Sequence, residues 1–219
     1  MPTAFHGHLE TLTTGISQLC DLVSESMRQA TVSLSTADLA LAEEVLSRHD
    51  EIAYECGRLE ATAFNALALR APIDDQRAAL SLLKSVADVQ RMSALMLHVA
   101  RIARRRHPAH AVPVELRGSF AAMGLIAVRL ASDAGAAVQR GDSDQGAELA
   151  ARDDALDALH RRVFSFVLEQ DWPHGTAAAV DATLLSRYYE RFADHAVQIA
   201  GRVGTPPPGG PVRRRRTPT

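Results

Sequence analysis

Tryptophan occurs once and aromatic residues make up only 5% of this 219-residue chain, which leaves little material for a sheet sandwich with an aromatic core. Cysteine occurs twice, at Cys20 and Cys56, without a Cys-x-x-Cys pair or zinc-finger spacing. A disulfide scaffold is thereby excluded, and two reduced thiols are expected. Basic excess is also missing. The formal net charge is −2, and setting aside Arg213 to Arg216 leaves a body near about −6. Such a body is a poor partner for nucleic acid, whose phosphates require cations. No apolar run approaches a membrane span, and Met1 to Glu10 has neither the basic start nor the apolar stretch of a leader. A cytoplasmic chain with no transmembrane segment and no nucleic acid partner is the expectation. Finally, there is no phosphate-cradling glycine loop, dinucleotide fingerprint or nucleophile–base–orienter set, so no enzyme is expected.

What the chain does have is alanine, leucine and long stretches without proline. Apolar residues amount to 47%, a mixture suited to helices packed through small side chains. Proline inside a helix costs about 3 kcal/mol, so the gaps between prolines mark where helices can run. Phe5, Leu9, Leu12, Ile16, Leu19, Val23, Met27, Ala30 and Leu34 step by four and three, predicting a first helix over about 6–33. Ser35 or Thr36 would cap a second helix that Ala71-Pro72 stops. Asp74 or Asp75 would cap a third, whose closing Arg104, Arg105 and Arg106 suit the negative end of its dipole. Pro113 would open a fourth helix and Gly141 end it. Asp142 or Ser143 would start a fifth, reaching Asp171, and Thr176 would cap a sixth ending near Val203. Three prolines and a Gly-Gly pair after Thr205, then the arginine run, read as a disordered, solubilising tail over 205–219.

The helices fall into two sets of three. Arg91-Met-Ser-Ala-Leu-Met-Leu-His-Val-Ala100 aligns with Arg191-Phe-Ala-Asp-His-Ala-Val-Gln-Ile-Ala200, and Asp50-Glu-Ile-Ala-Tyr54 with Asp153-Asp-Ala-Leu-Asp157. The expected fold is all-α: two tandem three-helix bundles related by internal duplication, over 1–107 and 113–204.

The chemistry-bearing feature is a pair of carboxylate couplets, Asp153/Asp157 and Glu190/Asp194. Spacing of four places each pair on one helix face. Like charges there repel by a few tenths of a kcal/mol, so two couplets on neighbouring helices suggest a cation between them. Oxygen ligands favour magnesium, calcium, manganese or iron. His195 and His160 could add nitrogen and tilt the choice toward iron or zinc. In the first repeat only Asp50 survives, because Tyr54, Gln90 and Ala94 stand at the other three positions. One metal site per chain is therefore expected. A solvated acidic face without metal, on a purely structural adaptor, is the plainer alternative. A ferritin-like metal oxidase lacks its second Glu-x-x-His unit.

Three elements together resemble the PhoU family: Glu190-Arg-Phe-Ala-Asp-His-Ala196, the Asp153-xxx-Asp157 spacing, and Pro72-Ile-Asp-Asp-Gln-Arg77, similar to the family's Pro-x-x-Asp-Leu-Arg element with Gln76 in place of leucine. The pattern covers residues 5 to 203. The resemblance implies a six-helix cytoplasmic regulator that negatively regulates phosphate uptake and phosphate-starvation signalling. Its implied partners are the ATPase subunit of the phosphate transporter and a phosphate-sensing histidine kinase. It also implies a homodimer, and metal on paired (Glu/Asp)-x-x-x-Asp motifs, here Asp153, Asp157, Glu190 and Asp194. Asp75 and Arg77, at a helix start, are candidate partner contacts.

Overall fold

Six helices account for nearly all of the described chain: α1 (Pro2–Thr36), α2 (Leu39–Ala68), α3 (Ile73–Arg106), α4 (Val114–Arg140), α5 (Gly146–Val167) and α6 (Gly175–Arg202). The structure, a computed structural model, describes residues 2–69, 71–141, 146–169 and 171–203. The tail, Arg213 to Arg216 and the expected α5 caps Asp142 and Ser143 lie outside them. Within the described residues the chain is all-α, as its periodicity predicts.

The helix ends differ from the expected caps. α1 runs on through Ser35 and Thr36, whose hydroxyls bond back to the carbonyls of Thr31 and Val32 instead of capping a new helix. The break is at Ala37, with φ 54°, and the cap of α2 is Asp38, whose carboxylate accepts from the Leu41 amide at 3.1 Å. Pro72 precedes α3 with a fixed φ of −53°, so Asp74 and Asp75 sit inside the first turn, near its positive dipole end, and cap nothing. Likewise His174 precedes α6, and Thr176 is already helical. Gly141 does end α4, in the left-handed region that glycine occupies without strain. α5 stops at Val167 rather than Asp171.

Two helix pairs join the repeats. α1 and α4 cross antiparallel at close range because α4 presents glycine at the contacts. A Cβ on Gly124 would lie 2.5 Å from Thr31, and one on Gly135 would lie 2.8 Å from Cys20 Cβ. Ser24 bonds Ser132 at 3.0 Å, and Thr31 bonds the buried Tyr189 hydroxyl at 2.8 Å. α3 and α6 form the second antiparallel pair, with His98 stacked on Tyr188 near its middle. α2 packs on α1 and α3, and α5 on α4 and α6, so each flanks one repeat. One continuous apolar core, from Leu12 to Ala200, runs through both repeats.

α4 corrects one expectation. It is long and apolar enough to cross a membrane by length and composition, but half of that stretch is buried in the fold. Its Leu116, Phe120, Met123, Ala127, Leu130 and Ala134 are core residues.

The α3–α6 seam is pinned at both ends by a buried acid. Asp88 of α3 is fully buried and accepts from His195 Nδ1 at 3.0 Å, from Arg91 at 3.1 Å and from Arg202. Burial alone would raise its pKa, but the hydrogen bonds from His195 and Arg202 outweigh that and hold it below the ordinary carboxylate range. At the other end Asp181 of α6, 2% exposed, accepts from Arg105 at 2.5 Å and Arg106 at 2.6 Å. Two of the three arginines assigned to the α3 dipole thus clamp the opposite repeat, while Arg104 faces Glu43 at 3.5 Å.

Candidate metal centre on the second repeat

On α5, the buried Leu149, Leu156 and Val163 hold one side of the helix against the core. Asp153 and Asp157 fall on a half-buried side. On α6 the buried Tyr189, Phe192, Ala193 and Ala196 do the same, leaving Glu190 and Asp194 half-buried. The helices are antiparallel, and a hydrogen bond from His160 Nδ1 to Ser186 Oγ at 3.1 Å fixes their register. That register sets Asp153 level with Asp194, and Asp157 level with Glu190.

The electrostatics of Asp153 report the result. Its pKa is pushed up to about 6, first by burial and then by the charges of Asp194, Asp157, Asp154 and Glu190. The other three sequence-predicted acids are therefore close enough to Asp153 to raise the cost of ionising it. Glu190 has found a cation already, since Arg187, one turn before it, pairs with both its carboxylate oxygens. Among the described residues, no three His, Cys, Asp or Glu side chains converge as ligands of a single ion. By donor chemistry the set fits a hard divalent or iron ion: carboxylate oxygens only, half shielded from water, with one acid already destabilised as an anion.

The histidines depart from expectation. His195 is 8% exposed and is turned into the α3–α6 seam, where its Nδ1 is bonded to Asp88, so it does not join its neighbour Asp194 on the acidic face. His160 has its Nδ1 engaged by Ser186 and its ring against Phe164. Sequence spacing missed this because adjacent residues on a helix point about 100° apart.

The first repeat places different chemistry at the same positions. Asp50 is exposed, Tyr54 is 69% exposed, and Gln90 and Ala94 are half-buried. Near the α2–α3 turn, Arg77 pairs with Asp74 at 3.3 Å, while Asp75 is half-buried in the first turn. Cys20 and Cys56 are buried free thiols whose pKa values burial pushes up to about 12, which leaves them protonated and unreactive.

Sequence reasoning overlooked Asp88 and Asp181. The available signal was an acid placed within an apolar helical stripe: Asp88 stands between Val86 and Val89, and Asp181 one turn before Leu185. Such a residue needs a buried partner.

A family model described as the PhoU domain matches the chain twice, over residues 16–103 and 120–203. The chain is 50% identical over 93% of its length to the phosphate-specific transport system accessory protein PhoU homolog 2 of Mycobacterium tuberculosis, covering 96% of that protein. It is 48% identical to PhoU homolog 1 of Mycobacterium leprae, with 93% of this chain and 92% of the other aligned. Its fold matches the crystal structure of PhoU from Pseudomonas aeruginosa with a TM-score of 0.79 at 25% identity, over 91% of this chain and 96% of that one. The chain belongs to the PhoU family.

Proposed function

We propose, from the premise of PhoU membership, that this chain is an accessory regulator of phosphate transport that acts by contact and catalyses no reaction. The observation that carries the proposal is the 50% identity, over 93% of the chain, to a protein named for the phosphate-specific transport system. In finer detail, it is a cytoplasmic negative regulator. It damps phosphate uptake and starvation signalling through the transporter ATPase and the phosphate-sensing histidine kinase, and it works as a homodimer. The fold supports a contact role because its long helices offer extended outer faces, and α2 and α5 each have one side free of the other five helices.

One metal site belongs to this reading, held by Asp153, Asp157, Glu190 and Asp194 and suited to iron, zinc, manganese or magnesium. What supports it is the destabilisation of the Asp153 anion by burial and by the charges of Asp194, Asp157 and Glu190, which a cation would relieve. The Arg187–Glu190 pair supports the metal-free alternative, in which the protein's own cation does part of that work. Asp75 and Arg77 are the proposed partner contact on the first repeat.

Deletion of the gene, with any paralogue excluded, tests the role. A phosphate-responsive reporter should stay on in phosphate-rich medium and return to repression with the wild-type gene. Asp75→Ala with Arg77→Ala should restore repression only in part, with helicity by circular dichroism unchanged. A reporter that remains repressed in the deletion strain would refute the regulatory role.

A further inference from the structure

The outer side of the α3–α6 seam carries a charge opposite to that of the chain. Between Gln76 and Arg106, α3 holds one acid, the fully buried Asp88. Counting 100° per residue along an ideal helix, Lys84, Arg91, His98, Arg101 and Arg105 lie within an arc of about 100°. Leu184, Tyr188, Arg191 and Arg202 of α6 lie within about 60°. Ties across the seam join the two arcs: Arg202 to Asp88, the His98 ring on Tyr188 at 5.0 Å, and Arg105 to Asp181 at 2.5 Å. Lys84, Arg91, Arg101, Arg105 and Arg191 are all exposed. At the α5 edge Arg187 is paired with Glu190, and Asp194 turns toward Asp153. One strip therefore sets six cations, Arg202 included, against two buried acids, Asp88 and Asp181. It runs about 31 Å from Lys84 to Arg105 at 1.5 Å per residue.

Charge on a helix surface is ordinarily solvated and locally paired, and the first two helices show this. Each arginine of α1 and α2 pairs with an acid one turn away: Arg28 with Glu25, Arg48 with Glu44 and Arg58 with Glu55. The α3–α6 strip departs from that pattern. Lys84, Arg101 and Arg191 have no hydrogen bond or ion pair among the described residues. Arg91 and Arg202 share one carboxylate, and Arg105 and Arg106 share another, so each group keeps a positive excess. The excess is felt at His98, whose pKa is lowered first by burial and then by Arg101 and His49.

We propose that this strip docks an acidic helix of a partner protein, with Asp or Glu recurring about every seven residues and an apolar side chain at its middle. Spacing selects a helix. Lys84, Arg91, His98 and Arg105 step by seven, about 10.5 Å at 1.5 Å per residue, and a helix laid along the seam repeats its own face at that step. Leu184, 39% exposed, lies beside the half-buried Tyr188 and His98 and offers the apolar anchor. Tyrosine with arginine is the composition of binding hot spots. Charge selects a narrow occupant. A lipid bilayer or a nucleic acid would spread its negative charge beyond two helices, onto a chain of net charge −2. The flanking helices there expose Asp50 and Glu51 of α2 and Asp154 of α5. The chain's own tail carries Arg213 to Arg216 and would be repelled. The inference rests on the adaptor reading and names a surface and a class of partner for it.

The probe is a labelled helical peptide of about 21 residues, the span from Lys84 to Arg105, with paired glutamates at seven-residue steps and leucine at its centre. Fluorescence anisotropy reads its binding to the full chain. Arg101→Glu with Arg191→Glu, at two positions without an internal partner, should weaken binding about tenfold or more and flatten its salt dependence. Arg101→Lys with Arg191→Lys should stay within about threefold of wild type, because the charge is kept. Arg28→Glu with Arg58→Glu, on α1 and α2, should change nothing. Equal binding of a scrambled peptide, or equal affinity in all variants, would overturn the proposal. Tighter binding of phosphatidylglycerol vesicles or duplex DNA than of the peptide would overturn it in favour of lipid or nucleic acid. Conversion of a dimer to a monomer by Arg101→Glu with Arg191→Glu would overturn it in favour of a second copy. If that variant regulates the phosphate reporter normally, the docking face is wrong while the adaptor role stands. If the deletion strain itself is silent, the role fails independently of the face.

Discussion

The two repeats share a three-helix plan and a common core, and each buries one paired acid in the seam between them, but only the second also keeps four acids together on an outer face. The first repeat uses its distinctive acid inside the seam, where Asp88 is fully buried and receives His195, Arg91 and Arg202. The second keeps four acids on an outer face, where Asp153 stays costly to ionise. One set is paired, and so contributes to holding the repeats together. In the other, among the described residues, only Glu190 is paired, with Arg187, and the ionised Asp153 costs stability among its neighbours.

Breaking the paired set should have the largest effect. Asp88→Ala leaves His195 and Arg202 facing each other in the seam, and disrupting a buried pair in this way costs about 3 kcal/mol. For a domain of this size each kcal/mol is worth roughly 2–4 °C, so thermal denaturation should show a melting temperature lower by about 6–12 °C. Asp50→Asn, on the exposed surface of the same repeat, should stay within about 0.5 kcal/mol of wild type. Equal melting of the two variants would dissolve the contrast.

The glycine seam between α1 and α4 comes next. A Cβ on Gly135 would lie 2.8 Å from Cys20 Cβ and 3.1 Å from the Ser17 carbonyl oxygen, so backbone as well as side chain must shift. Gly135→Ala should destabilise by about 1–3 kcal/mol in urea unfolding. Gly118→Ala in the same helix meets nothing within 4 Å and should gain up to about 1 kcal/mol of helix propensity.

Relieving the unpaired set should produce a smaller change of opposite sign. The carboxyl of Asp153 titrates at about 6 in the folded chain, above an unfolded value of about 3.9. The folded state therefore holds its proton longer, so this group's contribution is most favourable below pH ~4 and is lost as pH rises through 6. Without metal, Asp153→Asn should flatten that part of the pH–stability profile and add about 1 kcal/mol at pH 7, after allowance for solvent screening. An unchanged profile would mean the carboxylates do not act on one another.

Periodicity made the helices and their order legible, because the buried stripe of α1 is a local pattern of fours and threes. The acid couplets were legible for the same reason: four residues on a helix is a distance, and the α5–α6 register only had to bring two such pairs together. The caps were less so. Ser35 and Thr36 satisfy their hydroxyls along α1, and only tertiary contacts choose Asp38, since Ser33 bonds its carbonyl and His107 holds Ala37. Apart from Arg91, one turn beyond Asp88, the partners of Asp88 and Asp181 lie more than seventy residues away, and His195 turns to another face than Asp194 because its neighbour in sequence is not its neighbour in space. Pairings between repeats have no signature in one-dimensional spacing beyond a charge standing where the helix should be apolar.

The proposed metal site lies on the four acids of the second repeat, and not on their eroded counterparts around Asp50. Elemental analysis of purified protein measures it most directly, comparing wild type, Asp157→Asn with Asp194→Asn, and Asp50→Asn under one loading protocol. The account predicts about one metal ion per chain in wild type, near-complete loss in the double variant, and no change for Asp50→Asn. Metal lost equally from both variants, or retained by the double variant, would contradict it.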